Sequence, residues 1–543
     1  MISLDYTSYL FIYLSIYLCI YIYRYITSTI KMKKPKFVPL SCTSTMSFQE
    51  CELAVLRTAV DKASNIRTTK AATAPDVQRM INIVEEFLRK KQLICYGGTA
   101  INALLPKTSQ FYNKDIDIAD YDFFSKTPID DAKELADIFY ANGFDETESK
   151  AGQHHGTYKV FVNFLGMADI TYLQKEIFDA LYKDAIKIDG ILYCPPNYLR
   201  MSMYLELSRP AGDVSRWEKV LKRLSLLNKY HPLKAAQCEK SQFRRALDKK
   251  KYTSVEAGEI YTTVRNALIG EGVVFFGGFA MTTYIENILN KTLHGSTQSP
   301  DFDVLSEHAE STANAVKKSL EKKKFKNVTI VKRMGVGDVI SQHYQIMVDG
   351  DNTVGFVYEP MACHGYNSVS IGGNNVKIAT IDTMMSLYLA FLYSGRDYYH
   401  INRLMCMSMF LFEVQKRHRL QQKGVLRRFS TDCYGHQHTM EEMRSEKSQV
   451  FHRLKNRRTT NEYEEWFLKY RPDENPTRRP KLNSKKSKTP KKSKTPKKPK
   501  KSKSTSTKKT KSTKSTKSTP KPTNKTNKTN KTNKKKTQKK SKK

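Results

Sequence analysis

Three absences narrow the reading first. No run of about 20 apolar residues, the length a helix needs to cross a bilayer, stands anywhere in the 543 residues; the apolar stretch Tyr9–Tyr23 (YLFIYLSIYLCIYIY) has fifteen and ends at Arg24. A short anchor is thus a poor expectation, and a signal peptide a poorer one, because the start has no basic region and no small-residue cleavage site follows. The Tyr-, Ile- and Lys-rich composition fits upstream A/T-rich sequence read from an early start codon, with Met32 or Met46 opening the working protein. The nine cysteines include no C-x-x-C pair and no histidine partner at zinc-finger spacing, which reads as a reducing compartment without structural zinc. Acidic residues are missing altogether from Thr477 onward.

That last absence locates the charge. The net charge is +40, and 30 of the Lys and Arg residues lie between Thr477 and the end, so the rest carries only about +10. The KSKTPKK, KST and NKT units there hold almost no apolar side chain and cannot offset the entropy of ordering, so a disordered basic tail is expected. Such a field attracts polyanions, nucleic acid above all.

What is present reads as α+β. Apolar spacing predicts helices over Glu50–Asn65 and Ala74–Lys91, then a strand Leu93–Tyr96, the turn Gly97-Gly98 and a helix from Thr99 to Leu105. A strand Asp120–Ser125, a helix Ile129–Ala141, alternation over Thr157–Phe164 and a strand Ala168–Tyr172 follow, which makes one mixed sheet with flanking helices. The same order returns about 180 residues on: FGGFA at Phe276–Ala280 answers YGGTA at Tyr96–Ala100, DFDVLS at Asp301–Ser306 answers DYDFFS at Asp120–Ser125, and MMSLYL at Met384–Leu389 answers RMSMYL at Arg200–Leu205. The chain is a duplication.

One copy carries a constellation suited to phosphoryl chemistry. Asp120 and Asp122, two apart on a strand, share a face, and Asp169, a lone acid in the apolar run ADITY, is costly to bury without a partner. Three converging carboxylates suit two divalent ions at an in-line nucleotidyl transfer. Gly97 and Gly98 let a backbone approach a triphosphate at a helix start, with Thr99 as a hydroxyl donor. Asp115 and Asp117 form a rival pair that the second copy does not repeat, so they read as a solvated approach loop. The stretch GDVSRWEKVLKRL offers Arg216, Lys219 and Arg223 on one helical side, either a triphosphate clamp or a solvated face; Trp217 reads as core ahead of a base-stacking platform, and the methionines from Met201 to Met409 read as packing. In the second copy, aligning Tyr172 with Tyr358 sets Gly355 opposite Asp169, and Phe279 replaces Thr99, so one working site is expected.

YGGTAIN, DYDFFS, ADITYL and SRPAGDVSRWEKVLKRL together resemble the catalytic subunit of the poly(A) polymerases of large cytoplasmic DNA viruses, over Met46 to about Pro472. The resemblance implies a duplicated polymerase-beta-like nucleotidyltransferase fold, ATP as donor, Mg²⁺ or Mn²⁺ as cofactor, metal-binding acids at Asp120, Asp122 and Asp169, and a poly(A) tail on the 3′ end of viral messenger RNA as product. The expected division is 1–45 leader and linker, 46–245 catalytic domain with a helical extension, 246–415 degenerate repeat, 416–476 C-terminal helical segment and 477–543 tail. Expected partners are the RNA 3′ end and ATP, with a second copy of the chain and viral transcription or capping proteins open to it and a membrane not; the expected place is the host cytoplasm and the virion. A CCA-adding or oligouridylating enzyme, or an RNA-binding scaffold without catalysis, is the competing reading.

Overall fold

The computed structural model describes residues 46–474, apart from 73, 113–119, 236–237, 239–242, 244, 246, 248–250, 290–300 and 419–420. The leader, the lysine-rich tail and the pair Asp115 and Asp117 therefore lie outside the described residues, with the expectations placed on them.

After helix α1 (Phe48–Ala72), helix α2 (Pro75–Lys91) turns Val77, Met80, Ile81, Val84, Phe87 and Leu88 to one buried face, the 3- and 4-residue spacing of an amphipathic helix. Pro75 stands where a missing amide costs nothing. Helix α2 packs on a sheet built from β1 (Ile94–Tyr96), β2 (Tyr121–Ser125), β3 (Thr147–Ala151), β4 (Thr157–Val162), β5 (Leu165–Tyr172), β6 (Ile186–Ile188) and β7 (Ile191–Tyr193), with α3 (Gly97–Leu104) and α4 (Pro128–Ala141) between strands. Along β4 the side chains alternate, Tyr158, Val160 and Val162 going inward and Lys159 and Phe161 outward. Helices α5 (Pro196–Leu207) and α6 (Trp217–Tyr230) complete this half.

The second half repeats it strand for strand: β8 (Val274–Phe275), β9 (Phe302–Leu305), β10 (Thr329–Arg333), β11 (His343–Val348), β12 (Asn352–Tyr358), β13 (His364–Ile371) and β14 (Asn374–Ala379), with α7 (Gly278–Leu289), α8 (Ala309–Lys322), α9 (Ile381–Phe391) and α10 (Ile401–His418). The first sheet runs β3-β4-β5-β2-β1-β7-β6 and the second β10-β11-β12-β9-β8-β14-β13, the same order shifted by seven. Each is mixed, with β2 parallel to β5 and antiparallel to β1, as β9 is to β12 and β8. The two segments matched in the sequence as RMSMYL and MMSLYL lie on α5 and α9, which pack on each other, so the halves meet through equivalent helices. The expected methionines are packing residues there: Met201, Met203, Met384, Met385, Met405 and Met407 are buried and Met409 packs against them.

The remaining chain straps the halves together. Strand β15 (Cys433–Tyr434) joins the edge of the second sheet on β13, α11 (Met440–Leu454) and α12 (Asn461–Phe467) follow, and β16 (Lys469–Tyr470) joins the edge of the first sheet on β3. Each sheet thereby reaches eight strands.

The cysteines depart from expectation. Cys238 is bonded to Cys406 and Cys363 to Cys433, across 168 and 70 residues, while Cys95 and Cys194 are buried free thiols. Nothing in their spacing announces this, because the fold brings distant positions within bonding range and short-range motifs cannot report it.

Candidate active site

Four neighbouring strands of the first sheet set one side chain each in a row. Tyr96 on β1 pairs with Asp122 on β2, Asp122 with Asp169 on β5, and Asp169 with Lys159 on β4. Adjacent strands lie about 4.8 Å apart, so Asp122 and Asp169 are immediate neighbours, and Asp120 stands just before β2 at the exposed rim. Lys159 is ion-paired to Asp169, and Tyr96 bonds the Thr171 hydroxyl at 2.9 Å.

Carboxylates gathered this way resist ionising together. Burial, then the charges of Asp169 and Asp120, push the Asp122 carboxyl up to about 7; burial and Asp169 raise Asp120, against the pull of Lys159 and Lys219. All-oxygen donors that repel one another and hold a lysine ammonium in the meantime fit Mg²⁺ or Mn²⁺.

The glycine turn lies against these acids. Gly97 opens α3 with φ at +70°, and a Cβ there would overlap the Asp122 carboxylate; one on Gly98 would come within 3.0 Å of Arg223 Nη1 and of the Tyr112 ring. The amides of the first turn of α3 thus stand beside the row, and Arg223 reaches the turn from α6. Its guanidinium donates to the Tyr112 hydroxyl at 2.6 Å and lies 4.8 Å from the Phe111 ring centre.

The other residues singled out in the sequence divide. Thr99 donates its hydroxyl to the Asp120 carbonyl at 2.6 Å, so it braces the acid loop. Lys219 faces the site closely enough for Asp120 to feel its charge; burial and the neighbouring Arg223 and Arg216 pull its own ammonium below the usual range. Arg216 instead stands in a 3-10 turn before α6 and pairs with Glu206 at 3.1 Å. Trp217 packs, its indole donating to the Glu206 carbonyl at 3.1 Å and its ring 5.8 Å from Phe429. Lys159 and Tyr112 were not anticipated; the outward phase of Lys159 along β4 was a usable signal, whereas Tyr112 carried none.

The second repeat holds the same strand geometry with other side chains in the row. Its row reads Phe276, Asp303, Phe356 and Gln345. The expectation that Gly355 answers Asp169 is off by one: Gly355 pairs with Phe302, and Phe356 stands opposite Asp303. Matching the two tyrosines misled, since Tyr172 pairs with Ser125 but Tyr358 with Leu305, one residue earlier in its strand. No acid is gained by the shift. Arg245 fills the place between the remaining carboxylates, 2.6 Å from Asp301 and 2.8 Å from Asp303, with its guanidinium 4.7 Å from the Phe356 ring centre. Arg403 closes on Asp301 at 2.5 Å. Asp301 and Asp303 are 1% and 6% exposed, so this cluster is sealed where the first is open.

Comparison with known proteins gives this geometry a context. Residues 82–213 match the family model described as poly(A) polymerase catalytic subunit. A protein of Acanthamoeba polyphaga mimivirus, provisionally named a poly(A) polymerase catalytic subunit, is 33% identical over 186 residues, 33% of this chain and 30% of that protein. One of African swine fever virus with the same provisional name is 35% identical over 181 residues, 32% of this chain and 38% of that one. The matched stretch thus spans about a third of these curated relatives. The crystal structure of the Megavirus polyadenylate synthase superposes with a TM-score of 0.65 and 19% identity, covering 81% of this chain and 88% of that one, a likeness of fold. The first repeat is therefore similar to viral poly(A) polymerase catalytic subunits in sequence, and the duplicated α+β fold is shared across both repeats.

Proposed function

We propose that the chain is a template-independent polynucleotide adenylyltransferase that extends the 3′ end of viral messenger RNA with adenylate from ATP, at a single site in the first repeat. The observation that carries this reading is the contrast between the two rows: three acids and an open face in one, an arginine plug and a phenylalanine in the other. A scaffold that only binds polyanions gains nothing from an open cluster of carboxylates.

Asp120, Asp122 and Asp169 would hold two Mg²⁺ or Mn²⁺ ions. Such ions, when bound, offset charge on the transferred phosphoryl group and on the attacking and leaving oxygens. The chain's own groups divide the remaining work. First-turn amides of α3 at Gly97 and Gly98 face the triphosphate, and Lys219 and Arg223 offset the charge that builds on the pyrophosphate as it leaves. Asp169, held by Lys159, accepts the proton of the RNA 3′ hydroxyl as that oxygen bonds to the α-phosphorus and the bond to the bridging oxygen breaks. Thr99 keeps the Asp120 loop against α3. Action on viral RNA places the protein in the infected cytoplasm and in the virion; among the described residues no helix is long and apolar enough to cross a membrane.

Extension of an RNA primer, run with each of the four nucleotides alone, tests the reading. ATP is expected to give long products and Asp122→Ala none, with unchanged circular dichroism. Equal use of UTP or CTP would move the chain to another nucleotidyltransferase class, and full activity in Asp122→Ala would remove the site.

A further inference from the structure

A second group of potential ligands lies far along the chain from the acidic row. His436, His438 and Glu442 converge where β15 gives way to α11: a ring nitrogen from each imidazole and a carboxylate oxygen all lie within 4.8 Å of one another. We propose that these three side chains form a binding site for a late first-row divalent cation, Zn²⁺ above all, that pins the strap joining the two repeats.

The donor set points to that ion. Two imidazoles with one carboxylate suit zinc and its neighbours, where magnesium takes oxygen donors and water, so the two sites of the molecule differ in chemistry. Three protein ligands leave a fourth position to water. Ligands of tetrahedral zinc lie about 2.0–2.2 Å from the metal, so a small closure of exposed side chains suffices.

The backbone already holds two of the three in place. On the first side, β15 is fixed to β13 by its pairing and by the Cys363–Cys433 bond, and Gly435, with φ at +99°, turns the chain where a side chain would strike Ala362 and Pro360. On the other, Glu442 is the third residue of α11 and accepts from the Thr439 amide at 2.8 Å in a capping box, while His436 Nε2 lies 3.1 Å from the same carboxylate. His438 makes no hydrogen bond among the described residues, and its ring centre lies 5.1 Å from that of His436. One effect opposes the cation: the positive end of the α11 dipole. The first-turn acids Glu441 and Glu442 counter it, and coordinate bonds exceed a surface dipole term by a wide margin.

The consequence is mechanical. Just beyond the cluster, Met440 receives a hydrogen bond from the Gln153 side chain at 3.5 Å and Lys447 donates to the Gly152 carbonyl at 3.0 Å, both on the turn before β4 of the first repeat. A metal at this point would tie an edge of the second sheet to the helix that leans on the first. Zinc-finger spacing does not reveal it, because His-x-His-x-x-x-Glu belongs to no finger pattern and the turn at Gly435 makes the approach.

Zinc titration of the full-length chain against a chromophoric chelator tests the site, with millimolar Mg²⁺ present to occupy the acidic row and no reductant added. The wild type is expected to bind one more zinc than His438→Ala, and His436→Ala and Glu442→Gln to weaken that site by about tenfold or more. Glu442→Gln keeps the capping box and so isolates the lost donor from a lost cap. Zinc is expected to slow proteolysis of the wild type around residues 430–440 and leave His438→Ala unaffected. Equal zinc stoichiometry and affinity in the wild type and His438→Ala would overturn the proposal, whatever the outcome of primer extension.

Discussion

Gly97 shows how much of the site rests on single atoms. Its φ of +70° and its contact with Asp122 leave no room for a methyl group. Gly97→Ala is expected to displace the carboxylate and lower kcat by about 100-fold, a 1 Å error at a reacting centre, with Mn²⁺ binding weakened in parallel. Asp122 itself sets a pH dependence. Its carboxyl titrates near 7 when folded and near 3.8 as a free group, so the folded chain holds a proton the unfolded chain has lost. Stability contributed by that proton is full below about pH 4 and is lost as pH rises through about 7. In chelator, melting temperature is therefore expected to fall from pH 5 to pH 7, and Asp122→Asn to flatten the slope; an unchanged slope in the variant would discount the burial of Asp122. Metal binding runs the other way, strengthening as pH rises toward 7 and the carboxylate is freed, and levelling off above it. In the second repeat Arg245 offsets two buried acids, and removing one partner of such a cluster costs about 3–5 kcal/mol. Urea unfolding of Arg245→Met is expected to show that loss, Arg245→Met with Asp301→Asn and Asp303→Asn to recover most of it, and no version to gain turnover in an Asp122→Ala background.

At the scale of elements, α6 joins the basic residues to the acids. Lys219 and Arg223, four apart, turn to one side, while Arg216 precedes the helix and is held by Glu206. Steady-state kinetics should separate them: Lys219→Ala and Arg223→Ala are expected to raise the KM for ATP and lower kcat, Arg216→Ala to change either less than about threefold, given the small worth of an exposed pair. The element order of the first repeat was legible because its strands alternate or run apolar and its breaks carry glycine or proline. The helix from Thr99 begins at Gly97, β3 was not anticipated, and the β5 counterpart was misaligned by one. Strand register is a property of pairing between chain segments, and a matched tyrosine in one segment does not report it. Arg245 was invisible for the same reason: one arginine in a stretch rich in basic residues has no periodicity to betray which acids it faces.

For the whole molecule, duplication has produced one open site and one plugged site on equivalent sheets, joined by equivalent helices α5 and α9. The basic tail adds 30 positive charges. Removing residues 477–543 is expected to weaken RNA binding and reduce its salt slope, since each phosphate contact contributes about 0.9 to that slope, and to spare turnover at saturating primer. Filter binding across a salt series with primer extension alongside checks both halves; a slope unchanged by truncation would remove the tail from RNA binding.

The duplication, the three acids, the glycine turn and the missing third acid of the second repeat were determined by the sequence alone, because each is written in local spacing or in identities that recur at a fixed offset. The tertiary structure alone decided that Lys159 faces Asp169, that Arg245 and Arg403 fill the second cluster, that Cys238 pairs with Cys406 and Cys363 with Cys433, and that two histidines meet a glutamate across a turn. Those are encounters between segments far apart in the chain, and only the packing of both repeats on one another and on the strap brings them within reach.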